Sequence, residues 1–279
     1  MDQRKSLDFP HGHPFPPPES TMRVPAFFIA SLSFLGPMAV TSHAVAQDNI
    51  VHVAIYKGPA ACEDCSDVVR RAIEKLGPKY KVDFVGARED IDITDESLAN
   101  YDIYVQPGGG QDIPKALRDI GNARVKAIRN FVHDGGHYLG LCMGAYLADA
   151  GNMQPVDQDL DGEIRRPGFP VRTSEDTAVT VRWNGREESI FFQDGPYMRP
   201  APVDRKFRAI ATYENGDIAA ARYAYGNGLV VLVGPHPEAD ASWFDDANIP
   251  RDRMPEGDLV KDLLREFEPA ANVARTRQK

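Results

Sequence analysis

A cysteine lies between two glycines in the stretch GLCMG, residues 140–144. A cysteine thiol acts as the nucleophile in acyl transfer when a nearby base removes its proton. Small residues two positions before and after a nucleophile allow the sharp strand-to-helix turn that exposes it to a substrate. A free cysteine can also pack as a small apolar side chain. The spacing around Cys142 favours the nucleophile, provided that the fold brings a base to it.

The stretch HPE, residues 236–238, contains a candidate base and directly follows an apolar segment. His236 can take the thiol proton, and Glu238 can orient the imidazole and fix its tautomer. A histidine before a proline can instead be a surface or capping residue. Together with Cys142, the two residues predict a Cys-His-Glu catalytic arrangement.

A run of three glycines, Gly108 to Gly110, follows the apolar segment 101–107. Acyl transfer needs backbone N–H groups that stabilise the oxyanion, and the N–H groups of Gly109 and Met143 are the expected pair. A phosphate-binding loop is the alternative use of such glycines, but no Lys-Ser or Lys-Thr pair follows them as in a P-loop.

The other two cysteines, Cys62 and Cys65, form a C-x-x-C motif at a predicted helix start. A disulfide is the leading interpretation in an exported protein. The alternatives are free thiols, a redox motif, or a zinc site with further ligands. A further alternative is a disulfide from one of the two cysteines to Cys142, which would switch off the nucleophile.

The acidic stretch DQDLDGEI, residues 157–164, opens like a calcium loop. Asp157, Asp159 and Asp161 have the spacing of calcium ligands, but position twelve is Gly168 rather than a bidentate glutamate. A solvated acidic loop is the main interpretation, and a calcium site of another type is the alternative.

These residues follow elements that alternate between strand and helix. Helical spacing is predicted over about residues 65–76, 125–132, 143–150 and 256–267. Apolar strands are predicted at 49–56, 80–86, 101–107, 137–142 and 228–238. Such alternation predicts a parallel sheet covered on both faces, with its ligand at the carboxyl ends of the strands. Short segments at 177–184, 188–193, 207–214 and 217–225, separated by Asn-Gly and similar turns, predict an antiparallel extension.

The order of the motifs resembles the class I glutamine amidotransferase superfamily, and within it the biotin–protein ligase N-terminal domain group. The stretches that carry this resemblance are YKGPAAC, VQPGGGQD, GGHYLGLCMGAYLA, FFQDGPYM and GPHPE, over about residues 50–240. The resemblance implies a flavodoxin-like three-layer α/β/α sandwich. It also implies a triad of Cys142, His236 and Glu238, with Gly108 and Gly109 in the oxyanion loop.

The sequence departs from the superfamily at the substrate side of the nucleophile. Glutamine amidotransferases usually carry Gln where this chain has Tyr146, so we expect Tyr146 to contact a substrate other than glutamine. No stretch resembles a biotin ligase catalytic domain, and we therefore expect no biotin ligase activity.

The N-terminal region resembles an export signal. Arg23 precedes the mostly apolar residues 24–40, and Ala44-Val45-Ala46 offers a small-x-small cleavage site. We predict an upstream extension over 1–21, a signal peptide over 22–46, the amidotransferase-like domain over 47–268 and a frayed tail over 269–279. This predicts a periplasmic or secreted protein without a stable membrane span after cleavage; a retained anchor is the alternative.

Charge and composition narrow the class of partners. The 279 residues carry a formal net charge of −9 and 42% hydrophobic residues. No basic stripe is present, which argues against a nucleic-acid partner.

We predict an exported cysteine hydrolase of an amide or acyl bond in a small molecule or peptide, with calcium as the one cofactor considered. A non-catalytic binding or sensing module on the same fold, or a redox-regulated thiol protein, are the alternatives. Substrate identity and oligomeric state stay open.

Overall fold

The structure, a computed structural model, describes residues 50–268. The predicted upstream extension, signal peptide and C-terminal tail lie outside these residues and stay predictions. Among the described helices, none is long and apolar enough to cross a lipid bilayer.

The described residues form eleven strands and seven α-helices. The strands are β1 (Val51–Tyr56), β2 (Tyr80–Val85), β3 (Ile103–Gln106), β4 (His137–Leu141), β5 (Asp161–Gly162), β6 (Thr177–Trp183), β7 (Arg186–Phe192), β8 (Pro196–Tyr197), β9 (Arg208–Tyr213), β10 (Ile218–Tyr225) and β11 (Gly228–Val233). The helices are α1 (Cys65–Glu74), α2 (Asp95–Leu98), α3 (Ile113–Ile120), α4 (Asn122–His133), α5 (Met143–Leu147), α6 (Ala241–Asp246) and α7 (Leu259–Arg265).

Nine of these strands within residues 50–268 form one sheet, in the order β2-β1-β3-β4-β11-β10-β9-β6-β7. The pairs from β2 to β11 are all parallel, so the carboxyl ends of β1, β3, β4 and β11 share one edge. In the register of β4 and β11, Leu141 lies opposite Val233. The segments that follow these two strands, which contain Cys142 and His236, therefore start side by side.

The remaining strands extend the sheet in antiparallel fashion, as predicted. The β6–β7 hairpin turns at Asn184 and Gly185, whose φ angles of 47° and 84° are both positive. Two consecutive positive φ values are characteristic of the type I′ turns that suit the twist of a hairpin, and Asn-Gly is the sequence that favours them.

The core occupies both faces of the sheet, which makes the fold the predicted three-layer α/β/α sandwich. Successive residues of a strand point to opposite faces. On β1, Val53 and Ile55 pack in the cluster that includes α1 and α7, whereas Ala54 and Tyr56 pack in the cluster that includes α3 and α4. Because helices cover both faces, the central parallel strands are mostly apolar, whereas the edge strand β2 carries Lys81 and Asp83.

Most predicted elements form within a few residues of their expected bounds, but three helices were not anticipated. These are α2, α3 and α6. The helix after Cys142 is also shorter than expected: it ends at Leu147 instead of extending to residue 150. The short α6 carries aromatic side chains next to the site, which the sequence pattern did not indicate.

Candidate functional site

Cys142 lies at a sharp turn between β4 and α5. Its φ and ψ angles are 49° and −109°, a region that non-glycine residues rarely occupy. Its N–H donates to the carbonyl oxygen of Val233 at 2.8 Å, which ties the turn to β11. A Cβ on Gly140 would lie 2.5 Å from the Gly144 oxygen, and a Cβ on Gly144 would clash with the Gln106 oxygen. The two flanking glycines are thus required by close backbone approach, as the sequence predicted.

His236 reaches the same edge from the end of β11. Its N–H donates to the carbonyl oxygen of Phe191 at 2.8 Å, which fixes the backbone of this segment against β7. The imidazole is almost completely buried, packed edge-to-face against Phe191 and Trp243. Cys142 lies close enough to the imidazole to raise the pKa of His236. The structure therefore brings together the two side chains that the sequence paired.

Glu238 completes the chain of contacts. Its Oε1 lies 2.9 Å from Nδ1 of His236, and its side chain is fully buried. An ionised carboxylate only accepts hydrogen bonds, so this contact places a proton on Nδ1 and leaves Nε2 as the other ring nitrogen. Burial alone would lower the pKa of His236, but the neighbouring Cys142 and Glu238 outweigh burial and raise the pKa to about 10.

The predicted oxyanion residues surround this pair. Gly109, Cys142 and Met143 line one cavity. Met143 is the first residue of α5, where backbone N–H groups have no acceptor inside the helix. A Cβ on Gly108 would lie 2.8 Å from Cε1 of His236, and a Cβ on Gly109 would clash with the carbonyl oxygen of Ala60. Only glycine leaves room for both the histidine and the β1–α1 loop.

Tyr146 lies on the nucleophile side, where a substrate contact was predicted. Its hydroxyl donates to the carbonyl oxygen of Asp194 at 3.2 Å, and burial raises its pKa. Asp194 has a positive φ of 47°, and the thiol of Cys142 lies 3.4 Å from the carbonyl oxygen of the preceding Gln193. Tyr146 thus holds the loop that the nucleophile itself contacts.

The C-x-x-C motif borders the histidine. Cys62 and Cys65 are joined in a disulfide with Cα atoms 5.2 Å apart, and Cys142 is the free cysteine of the described residues. The indole N–H of Trp243 donates to Asp64 at 2.7 Å, which links the disulfide loop to α6. A Cβ on Gly108 would also lie 3.5 Å from Sγ of Cys65, so the disulfide and His236 meet at Gly108.

Two cavities flank the Cys142–His236 pair. The first, here the nucleophile cavity, has a volume of about 320 Å³ and is lined by Cys142, Met143, Tyr146, Asp161 and Asp194, among others. The second, here the histidine cavity, has a volume of about 380 Å³ and is lined by His236, the Cys62–Cys65 disulfide, Phe191 and Trp243, among others. Gly109 and Gln193 line both. The site therefore opens on two sides of one pair of side chains.

Comparisons with known proteins agree with this geometry. Residues 51–159 match the family model described as "Biotin-protein ligase, N terminal". The chain is 30% identical over 227 residues to a biotin–protein ligase of Schizosaccharomyces pombe, a match that covers 68% of this chain and 34% of that protein.

Two solved structures align with most of this chain. One is a protein from Thermoplasma acidophilum that is provisionally named as a GMP synthase subunit. It aligns with a TM-score of 0.50 at 15% identity, over 78% of this chain and 92% of that one. The other is a glutamine amidotransferase, with a TM-score of 0.46 at 20% identity, over 71% of this chain and 99% of that one.

Residues 51–159 are thus similar to the N-terminal domain of biotin–protein ligases, and the fold is amidotransferase-like. The resemblance inferred from the motifs is thereby confirmed. The family match ends at residue 159, so it includes Cys142 and the glycine loop but neither His236 nor Glu238. The chain spans about a third of the length of the fission-yeast ligase.

The predicted calcium ligands of the amidotransferase-like domain do not come together. Among residues 50–268, one group of three potential ligand residues lies within 4.8 Å of one another, and it consists of Cys62, Asp64 and Cys65. Asp157 and Asp159 are exposed, and Asp161 instead enters β5, where it pairs with Tyr197 of β8. Strand pairing thus takes Asp161 out of the loop, and calcium binding by these residues stays a prediction.

Several residues of the site escaped the sequence analysis. Trp243 lies on the unpredicted α6, and Asp176 precedes a hairpin strand far from any motif. Gln193 and Asp194 belong to the stretch FFQDGPYM, but their residue types did not predict that they would lie next to Cys142. The one available signal was Asp194-Gly195, because Asp and Gly favour turns and Asp tolerates a positive φ.

Proposed function

We propose that this domain is an exported cysteine hydrolase of an amide or related acyl bond. The observation that carries the proposal is the buried 2.9 Å contact between His236 and Glu238, next to a Cys142 that raises the pKa of the same imidazole. Cys142 lies at a strained turn between β4 and α5. Strained backbone persists where the surrounding structure enforces it, and it concentrates at active sites.

The chemistry follows from these positions. The proton of Cys142 passes first to Nε2 of His236, Sγ then attacks the carbonyl carbon as a thiolate, and the N–H groups of Gly109 and Met143 stabilise the oxyanion. His236 then gives its proton to the leaving group as the carbon–nitrogen bond breaks. Water attacks the thioester, His236 takes the proton of that water, and the carbon–sulfur bond breaks to release the acid and the thiol.

Glu238 supports this proton shuttle. Its carboxylate, together with Cys142, keeps the pKa of His236 well above that of an ordinary histidine. Because the carboxylate contacts Nδ1, it restricts the imidazole and leaves Nε2 as the nitrogen that exchanges protons. A similar orienting role is known for the acidic member of hydrolase triads.

The surroundings favour an exported enzyme whose substrate differs from glutamine. A disulfide such as Cys62–Cys65 is typical of oxidising compartments, which supports the proposed signal peptide. Tyr146 occupies the position where glutamine amidotransferases usually carry a glutamine, and its ring lines the nucleophile cavity. That cavity, of about 320 Å³, suits a small acyl group or an amino-acid side chain.

Hydrolysis of p-nitrophenyl acetate tests the proposal without knowledge of the natural substrate. The proposal predicts an acetylated Cys142 on mass spectrometry and steady release of p-nitrophenol. Cys142→Ser should lose the cysteine adduct, and His236→Gln should slow acylation by about 10²-fold or more, as expected for loss of a general base. His133→Gln, which removes an exposed histidine, is the matched control. Equal turnover by Cys142→Ser and wild type would reject the proposal and favour a non-catalytic binding module.

A further inference from the structure

The two cavities divide the substrate between them. Cys142 and Met143 line the nucleophile cavity, so this side receives the acyl group. His236 lines the histidine cavity. Because the group that protonates the leaving amine must lie beside it, the histidine cavity receives the leaving group.

The histidine cavity is acidic. No lysine or arginine of residues 50–268 is among its lining residues. Four residues with carboxylate side chains line it: Glu63, Asp64, Asp176 and Asp246. Asp64 accepts the indole N–H of Trp243, while the side chains of the other three make neither a hydrogen bond nor an ion pair with the described residues. A cleft lined by charge of one sign concentrates ligands of the opposite sign.

Aromatic rings form a second, independent feature of the same cavity. The rings of Phe191 and Trp243 lie 5.3 Å apart at an angle of 62°, and Trp243 lies 5.1 Å from the ring of His236. The bond to Asp64 fixes the indole in this position. Aromatic faces attract ammonium and guanidinium groups, with tryptophan the most effective.

The negative charge also reaches the reactive histidine. Burial raises the pKa of Asp176, and the positive charge of His236 lowers it by a smaller amount. A cation in the histidine cavity would therefore share it with this carboxylate, the aromatic rings and His236.

We propose that the histidine cavity binds a leaving group with a positive charge, so that the substrate is the amide of a basic amine. The amine carries a second ammonium or a guanidinium group that faces Asp176, Asp246 and the ring of Trp243. The proposal rests on the proposed function and adds no step to it: the sulfur–carbon bond forms, the carbon–nitrogen bond breaks, and the amine leaves with the proton of His236.

Three chloroacetamides of matched size test this proposal through the rate of Cys142 alkylation, followed by intact-protein mass spectrometry. Their nitrogen substituents are 3-(trimethylammonio)propyl, its uncharged isostere 4,4-dimethylpentyl, and 3-sulfonatopropyl. In each reaction the thiolate displaces chloride, and the substituent extends in place of the leaving group. We expect the cationic reagent to react about tenfold faster than its isostere and the anionic reagent to react slowest, with a preference that weakens at high salt.

Two double variants locate the preference. Asp176→Asn with Asp246→Asn should reduce the ratio of cationic to neutral rates several-fold. Asp157→Asn with Asp159→Asn changes the net charge equally at exposed residues that line neither cavity, and should leave the ratio unchanged. Equal rates for all three reagents, or an equal ratio in both double variants, would overturn the inference while the proposed function stands. Failure of every reagent to alkylate Cys142 would instead reject the proposed function.

Discussion

Nδ1 of His236 lies 2.9 Å from Oε1 of Glu238, and the two side chains are 4% and 0% exposed. The other carboxylate oxygen, Oε2, is buried with no partner among the described residues. A buried carboxylate is costly unless an opposite charge is nearby. The charge of Glu238 is thus compensated by the imidazole, which makes the protonated state of His236 part of the structure as well as of the proposed chemistry.

Glu238→Gln should lower the pKa of His236, because the variant removes one of the charges that raise it. The measurement is an NMR titration of the histidine Cε1 protons, with His236 assigned from His236→Gln. Asp134→Asn, which alters the exposed His133–Asp134 contact, should leave the His236 titration unchanged. An identical His236 midpoint in wild type and Glu238→Gln would contradict this prediction.

The raised pKa of His236 also predicts how stability depends on pH. The pKa of a histidine in an unfolded chain is about 6.5, whereas the pKa of His236 in the folded protein is about 10. The imidazolium therefore contributes its full share to the unfolding free energy below the unfolded pKa, and this contribution is lost as the pH rises through the folded pKa. The difference in unfolding free energy between wild type and Glu238→Gln should shrink between these values. Urea denaturation across this range measures it, and a constant difference would argue against the charged pair.

Gly108→Ala should displace His236 and slow alkylation of Cys142 by about tenfold or more, because the added Cβ would lie 2.8 Å from Cε1. Gly110→Ala is the matched control in the same loop, since a Cβ there would meet nothing within 4 Å. Rates measured with iodoacetamide should separate the two variants. If both react like wild type, the loop does not constrain the histidine.

The Cys62–Cys65 disulfide predicts one free thiol in the denatured, unreduced protein and three after reduction. Replacing both cysteines by alanine should lower the unfolding free energy by about 2 kcal/mol, the value expected for a very short closed loop. Thiol titration with Ellman's reagent and urea denaturation check the two parts. Three free thiols in unreduced protein from an oxidising compartment would rule out the disulfide.

Glutamine should not be hydrolysed, because the aromatic ring of Tyr146 replaces the amide side chain that usually helps to hold it. Tyr146 is instead engaged with the carbonyl oxygen of Asp194. An ammonia-release assay with glutamine checks this, with Cys142→Ser as the blank. Ammonia release that depends on Cys142 would show that Tyr146 accommodates glutamine.

The sequence predicts the nucleophile side of the site well, because each feature depends on local spacing. The glycines around Cys142 bend one turn, and HPE directly follows a strand that pairs with β4. Such relations between strand ends follow from parallel topology alone. The three-layer fold was predictable for the same reason, since buried strands and amphipathic helices alternate along the chain.

The walls of the cavities could not be predicted, because they come from segments distant in sequence. Trp243 meets Asp64 across 179 positions, and Asp176 approaches His236 from a different hairpin. The backbone near the acidic stretch is a related case: the spacing of Asp157, Asp159 and Asp161 matches a loop motif, but pairing of β5 with β8 sets the backbone at Asp161. A local sequence pattern does not predict which distant strand a segment will pair with.

The most direct test of the account is the rate at which iodoacetamide alkylates Cys142 at neutral pH in wild type and in His236→Gln. Free cysteine is only a few per cent thiolate at this pH, whereas a thiol that has passed its proton to His236 is fully reactive. We predict that Cys142 reacts about tenfold faster than free cysteine and that His236→Gln removes this advantage. Equal rates for wild type, the variant and free cysteine would contradict the claim that His236 activates Cys142.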